Sequence, residues 1–198
     1  MRLPQSFFLR GTLTVARDLL GKAFTIRAEN QKGKSQLISG IIVETEAYLA
    51  ENDPACHAFS GPTPRTQIMF QPGGLLYVYF IYGMYHCVNI VTESEGRGAA
   101  VLLRAVEPRE GISFMQQNRP TAKHLQDVSN GPGKLAQAFG LTRADNATVL
   151  TSPKSRIYLE DINYPPQEVV TTTRIGIKNG KDYPYRFYLR DNPYVSKK

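Results

Sequence analysis

The nineteen residues GGLLYVYFIYGMYHCVNIV, at 73–91, constrain the fold more than any other stretch of the chain. Strand-forming residues run on either side of IYGM, whose glycine suits a tight turn, so the pattern predicts a β-hairpin with strands near 75–80 and 85–91. Four of the chain's 11 tyrosines lie in this segment, with Asn89 in its second half. Tyrosine forms strands well, but its hydroxyl needs a partner when buried, and Val, Ile or Leu would fill a core at lower cost. The segment therefore asks for flat rings with polar tips. Tyr77 and Tyr79 share one face of the first strand. Tyr82 falls in the turn beside Gly83, where a ring has little to pack against.

A second run, GIIVETEAYLA, alternates so that Ile42, Glu44, Glu46 and Tyr48 share one face and Ile41, Val43, Thr45 and Ala47 the other. Two carboxylates at this spacing lie roughly 7 Å apart. Such a pair suits holding a water against a glycosidic carbon, or dividing acid and base roles. The plainer reading is an exposed strand face with two solvated glutamates. The neighbourhood favours chemistry, because the strand runs straight into a long Pro- and Gly-rich loop, residues 51–74, that carries His57 and Arg65. His57 suits a base, a phosphate contact or a donor to a ligand, or is satisfied locally. No HxxxH or HxxE spacing supports a metal.

The remaining elements follow from local signals. TVARDLLG predicts a short helix with Thr14 as N-cap and Gly21 as its stop. KAFTIRA and QLISGIIVETEAYLA are strands joined across ENQKGKS, with a turn at Gly33. GAAVLLRAVEP is a strand ended by Pro108. REGISFMQQNR and GPGKLAQAFG are helices, the second with Pro132 near its start and Gly140 past its end. Residues 142–168 are irregular apart from a strand at RIYLE, and EVVTTTRIGI and YRFYLRD close the chain as strands. Strands early and late with helices between them predict an α+β fold: one domain over 1–198, with a curved, mainly antiparallel sheet, surrounding helices and a protruding hairpin.

Charge and cysteine usage narrow the partners and the compartment. The formal net charge is +7 and the pI about 9.4, which favours an anionic partner, nucleic acid first and an acidic membrane surface second. Cys56 and Cys87 form no CxxC, so a reducing interior is expected. The N-terminal apolar patch is broken by Arg10, Arg17 and Asp18 and matches neither a signal peptide nor a membrane span, so the expected location is cytoplasmic. On a basic protein, an aromatic ring at a hairpin tip suits a wedge that fills the gap left by an extruded nucleotide. Tyr48 and Tyr79 would stack on the extruded base. Asn89, a costly amide in a strand unless paired, is a candidate for reading a base edge.

VETEAYL, the loop with its His and TPR, PGGLLYVYFIYGMYHCVNI, VLLRAVEP, GPGKLAQA and RIGI…YRFYLRDNPYVS occur in order from residue 43 to 196, within a match that runs from about residue 5. Together they closely resemble the alkyladenine (3-methylpurine) DNA glycosylase family, in a bacterial-type member. The resemblance implies a monomer with no cofactor and no metal. Its partner is double-stranded DNA holding damaged purines, without a membrane, in the cytoplasm at the nucleoid. The implied reaction is hydrolysis of the N-glycosidic bond of alkylated or deaminated purines.

By motif, Glu46 resembles the family's general base, with Glu44 its non-catalytic neighbour. Arg104 and the backbone carbonyl of Ile175 resemble the other holders of the attacking water. Tyr48, His57 and Tyr79 resemble the base-pocket walls, and Asn89 the residue that excludes guanine's exocyclic amine. Tyr82 resembles the intercalating wedge, with Met84 beside it against the duplex. Tyr194 stands where the family often has an indole. Two rival classes differ from this reading: a catalytically silent nucleic-acid-binding module, against which Glu46 and Arg104 count, and a carbohydrate glycosidase using Glu44 and Glu46, against which the charge and Tyr82 count.

Overall fold

The computed structural model describes residues 1–29 and 33–197. Its spine is β2 (Ser35–Leu49), a strand of 15 residues that changes partner along its length. On one side it pairs with β5 (Ala99–Glu110) over its second two-thirds. On the other, β1 (Ala23–Glu29) pairs with its first half up to Ile41, and β8 (Arg186–Leu189) takes over at Glu44–Glu46. The carboxylate segment thus lies between two neighbours, and β2 is buried continuously from Ile38 to Ala47.

The hairpin strands β3 (Leu76–Ile81) and β4 (Tyr85–Thr92) extend the sheet beyond β5, β6 (Ile157–Glu160) extends it beyond β1, and β7 (Val169–Thr172) pairs with β8. The result is one curled sheet of eight strands in which each of these pairings is antiparallel, as the alternating patterns require. Among the described residues four helices surround it: α1 (Gln5–Phe8), α2 (Thr12–Asp18), α3 (Ile112–Asn118) and α4 (Pro132–Ala138). The core between sheet and helices includes Phe8, Phe24, Ile26, Ile42, Leu103 and Phe139, each at most 2% exposed. Burying each such side chain contributes about 1.5–3 kcal/mol.

Two compensating irregularities shape the middle of β2. The register steps from Ile42↔Val106 to Glu44↔Ala105 and then to Thr45↔Leu103, leaving Val43 extra on one strand and Arg104 extra on the other. Bulges of this kind re-aim side chains, and here they bracket Glu44 and set Arg104 against it.

Several local expectations need correction. The first long helix begins at Thr12, with Gly11 as its N-cap, so Thr14 lies inside it. Its capping acceptor comes from far along the chain, since the Thr12 amide donates to Glu93 Oε1 at 3.0 Å. β5 continues past Pro108 to Glu110. β4 pairs with β5 only over Ala99–Leu102, so by Pro108 the strand has a side with no neighbouring strand, where a residue lacking an N–H is tolerated. The segment RIGI lies outside any strand, because β7 ends at Thr172. The solvated-glutamate reading also fails: Glu44 and Glu46 are both 0% exposed. Gly33 has the left-handed φ (+69°) that a turn there calls for, while residues 30–32 of that connection lie outside the described residues.

Candidate active site

The pairs Tyr77↔Asn89 and Tyr79↔Cys87 put four side chains of the hairpin on one face, and this face forms a wall of a cavity of about 510 Å³. The tyrosine hydroxyls are not stranded there. Tyr77, 2% exposed, meets His57 Nδ1 at 3.1 Å through its hydroxyl. His57 stands edge-on to Tyr79 with centroids 4.6 Å apart, and Tyr77 and Tyr79 lie 5.4 Å apart. Burial pushes the Tyr79 phenol well above its usual range, so it stays a neutral donor. Burial, and then the Arg65 cation beside it, lower the His57 imidazole to about 4. His57 is therefore a neutral ring at pH 7. Asn89, 4% exposed, donates from Nδ2 to the Tyr77 carbonyl at 3.2 Å, which fixes its amide against the cavity wall.

Three other residues lining the cavity, Tyr48, Arg104 and Ile175, converge on Glu46 from above. The Tyr48 hydroxyl donates to Oε2 at 2.8 Å, and the Ile175 amide donates to Oε1 at 2.8 Å. Arg104 Nη1 is 3.2 Å from Oε1. A carboxylate so held stays where a deep, dry site needs it, and each of its oxygens can accept two hydrogen bonds. Burial first, and then the Glu46 charge, hold the Tyr48 phenol well above its usual range, so the pair is a phenol donating to a carboxylate.

Glu44 has a different role. Its Oε1 accepts from Arg104 Nε at 3.1 Å and from Arg186 Nε at 2.6 Å, while Oε2 accepts from the Ser196 amide at 2.8 Å. Two carboxylates and two guanidiniums thus balance to zero formal charge, with every side chain at most 8% exposed. Glu44 orients Arg104 and offers no free face to the cavity.

The hairpin tip departs from the compactness of the rest. Tyr82 is 78% exposed and Met84 64% exposed. Tyr82 and Gly83 have φ of +54° and +67°, and the Met84 amide closes the turn onto the Ile81 carbonyl at 3.3 Å. Two successive positive φ values suit the twist of a hairpin, but a tyrosine pays a steric penalty in that region. A large strained ring held out in solvent is a candidate for contact with a partner.

The structure brings together Tyr48, His57, Tyr79, Asn89, Arg104 and Ile175 around one cavity, with Tyr82 at its mouth and Glu46 beneath its floor. The contact of Ile175 with Glu46 runs through its amide, beside the carbonyl role expected for that residue. Sequence reasoning missed Arg186 and Ser196, and also a buried pair in which Arg174 Nη1 and Nη2 each lie 2.6 Å from an oxygen of Asp53. Arg174 directly precedes Ile175 in RIGI, and that adjacency is the signal that could have found it.

Among the described residues, no helix is long and apolar enough to cross a membrane. Residues 6–193 match the family described as methylpurine-DNA glycosylase, so the class to which this fold and cavity belong is that of the DNA glycosylases. Relatives agree along the whole length. A protein of Carboxydothermus hydrogenoformans is 46% identical over all of both chains, and one of Methanoculleus marisnigri is 45% identical over all of both. One of Francisella tularensis is 47% identical over 94% of each. All three bear the name "Putative 3-methyladenine DNA glycosylase". The chain belongs to the methylpurine-DNA glycosylase family.

Proposed function

We propose that the whole chain acts as one monomeric glycosylase domain that releases 3-methyladenine and related alkylated or deaminated purines from duplex DNA, with Glu46 as the general base. The observation that carries this reading is the fully buried Glu46 carboxylate, gripped by three donors that also line the cavity. The basic surface finds the duplex through its phosphates, with strong salt dependence. Tyr82 fills the gap as the lesion turns out, with Met84 beside it against the duplex. Tyr48, His57 and Tyr79 enclose the purine, and stacking contributes about 1–3 kcal/mol per stacked ring.

As the C–N bond lengthens, positive charge develops on the sugar. Glu46 stabilises that charge and takes a proton from a water held with Arg104 and the Ile175 carbonyl. The water oxygen bonds to the sugar carbon, and the bonding electron pair leaves with the purine. Alkylated purines already carry positive charge and leave readily, whereas hypoxanthine needs a proton on the base. The neutral rings of His57 and Tyr79 suit an aromatic guest of either kind.

Lys134 also lines the cavity, but its Nζ donates to Asn130 at 2.7 Å, and we assign the nucleophile to water, leaving an abasic site without strand cleavage. The same fold with a silent site would bind and do nothing more. The test is incubation with a duplex holding one 3-methyladenine, hypoxanthine or ethenoadenine, followed by alkali. The expected result is scission only after alkali, and its loss in Glu46→Gln with lesion affinity kept. A Glu46→Gln protein with the wild-type rate would refute the assignment.

A further inference from the structure

Glu46 accepts from the Tyr48 hydroxyl and the Ile175 amide, and one side chain that does not line the cavity adjoins both. The Arg174 guanidinium carbon lies 4.6 Å from the centre of the Tyr48 ring. Its own peptide leads directly into the Ile175 amide that donates to Glu46. Arg174 is itself held by four hydrogen bonds from its two terminal nitrogens. Nη1 donates to the Ala47 carbonyl at 3.0 Å and to Asp53 Oδ2 at 2.6 Å, while Nη2 donates to Asp53 Oδ1 at 2.6 Å and to the Gly180 carbonyl at 3.3 Å. Asp53 in turn accepts from the amides of Leu49 at 3.3 Å and Ala55 at 3.2 Å. Arg174 and Asp53 have side chains 0% and 1% exposed, so no solvent competes for this fork.

The pair crosslinks the loop after β2 to the segment 174–180, two stretches far apart in sequence that form neighbouring walls of the cavity through Ala55 and Ile175. The geometry leaves no slack. At Gly180, where φ is +59°, an added Cβ would meet Arg174 Nη2 at 3.1 Å and Asp53 Oδ1 at 3.3 Å.

We propose that Arg174, clamped by Asp53, is a positioning residue that sets both the Tyr48 ring and the Ile175 amide on the Glu46 carboxylate. The inference rests on Glu46 being the base. A planar fork that accepts one geometry suits this task, and lysine, with a rotating ammonium, cannot reproduce it. A displacement of the order of 1 Å at the carboxylate slows the chemical step about 100-fold.

The experiment measures single-turnover base release at saturating enzyme, and separately the affinity for a lesion duplex, for Arg174→Lys, Asp53→Asn and the double variant. The expected result is a fall of about 10–100-fold in the rate constant with a much smaller loss of affinity, since His57 and Tyr79 still enclose the purine, and a double variant no worse than either single one, because both break the same clamp. In a Tyr48→Phe background the effect of Arg174→Lys should shrink, which a purely structural role would not produce. Should Arg174→Lys fail to fold, Gly180→Ala displaces the guanidinium with both charges kept and should show the same split between rate and affinity. Wild-type rates per folded molecule in these variants, with Glu46→Gln inactive, overturn the clamp alone. Full activity in Glu46→Gln overturns the reading beneath it.

Discussion

Replacing Glu44 by Gln separates stability from chemistry in a way that the equal burial of the two glutamates would not suggest. Glu44 is the shared acceptor for Arg104 and Arg186, whose side chains are 8% and 6% exposed. The amide removes one negative charge and turns one acceptor into a donor. Arg104 keeps Glu46 at 3.2 Å, but Arg186 loses its carboxylate partner while remaining buried. Removing one member of a buried ion pair costs about 3–5 kcal/mol, because the other charge stays out of water unpaired. For a domain of this size each kcal/mol lowers the melting temperature by about 2–4 °C, giving a drop of about 6–20 °C.

Glu46→Gln leaves both arginines on Glu44 and should lower melting by less, while abolishing base release. The assay is thermal unfolding at fixed pH and salt, followed by two spectroscopic probes, beside single-turnover excision at a temperature where both variants are folded. Glu44→Gln should retain measurable excision per folded molecule. A Glu44→Gln protein that melts within about 2 °C of wild type, or one that is folded yet as inactive as Glu46→Gln, would refute the division of labour.

Tyr82→Ala removes a ring that touches little of the protein, so unfolding free energy should stay within about 0.5 kcal/mol of wild type. Its affinity for a lesion duplex should fall about 5–150-fold, the equivalent of one lost stacking contact. Parallel loss of both quantities would instead show that the ring supports the fold. Asn89→Ala should admit bases carrying an exocyclic amine and raise release of guanine from a G·T duplex and from undamaged duplex, while activity on hypoxanthine holds or falls. A folded, active variant with no gain on guanine would reduce Asn89 to a paired strand amide.

His57, held at about 4 in the folded state against about 6.5 unfolded, makes the unfolded chain the better proton binder between those values. Denaturation midpoints should therefore fall as pH drops from 6.5 toward 4, with no further contribution from this ring below that. Arg65→Ala should move the imidazole titration, followed by NMR, upward; an unmoved titration would exclude the Arg65 charge as a cause.

The parts of the site that were legible in sequence are those whose signal is local. The hairpin's period of two put Tyr77 and Tyr79 on one face, and the glycine beside Tyr82 marked an exposed tip; that Asn89 joins them follows from the cross-strand register Tyr77↔Asn89. GPGKLAQAFG announced α4 by its proline and glycine alone. The illegible parts are long-range. Nothing in ETEAY reveals that β8 covers its other side, which is why solvated glutamates were a reasonable alternative and an incorrect one. The partners that decide the charge balance lie 142 residues from Glu44, at Arg186, and 121 residues from Asp53, at Arg174. The Thr14 cap failed for the same reason, since the acceptor at the helix start is Glu93, 81 residues away. A residue's local pattern carries its face and its element, but not which distant charge will meet it.

The tie between Glu44 and the amide of Ser196 spans 152 residues and has a consequence for how the protein is made. A ribosome adding about 5–20 residues per second leaves Glu44, Glu46 and Arg104 without Arg186 and Ser196 for several seconds or more. During that interval two carboxylates and one guanidinium cannot be withdrawn from water at low cost, so the centre of the sheet should remain open on the nascent chain. The hairpin, whose strands are joined by three residues, can close in microseconds. The wedge would then exist well before the base it serves, and a chain stalled short of β8 would carry an exposed aromatic tip on a basic surface with no assembled catalytic floor.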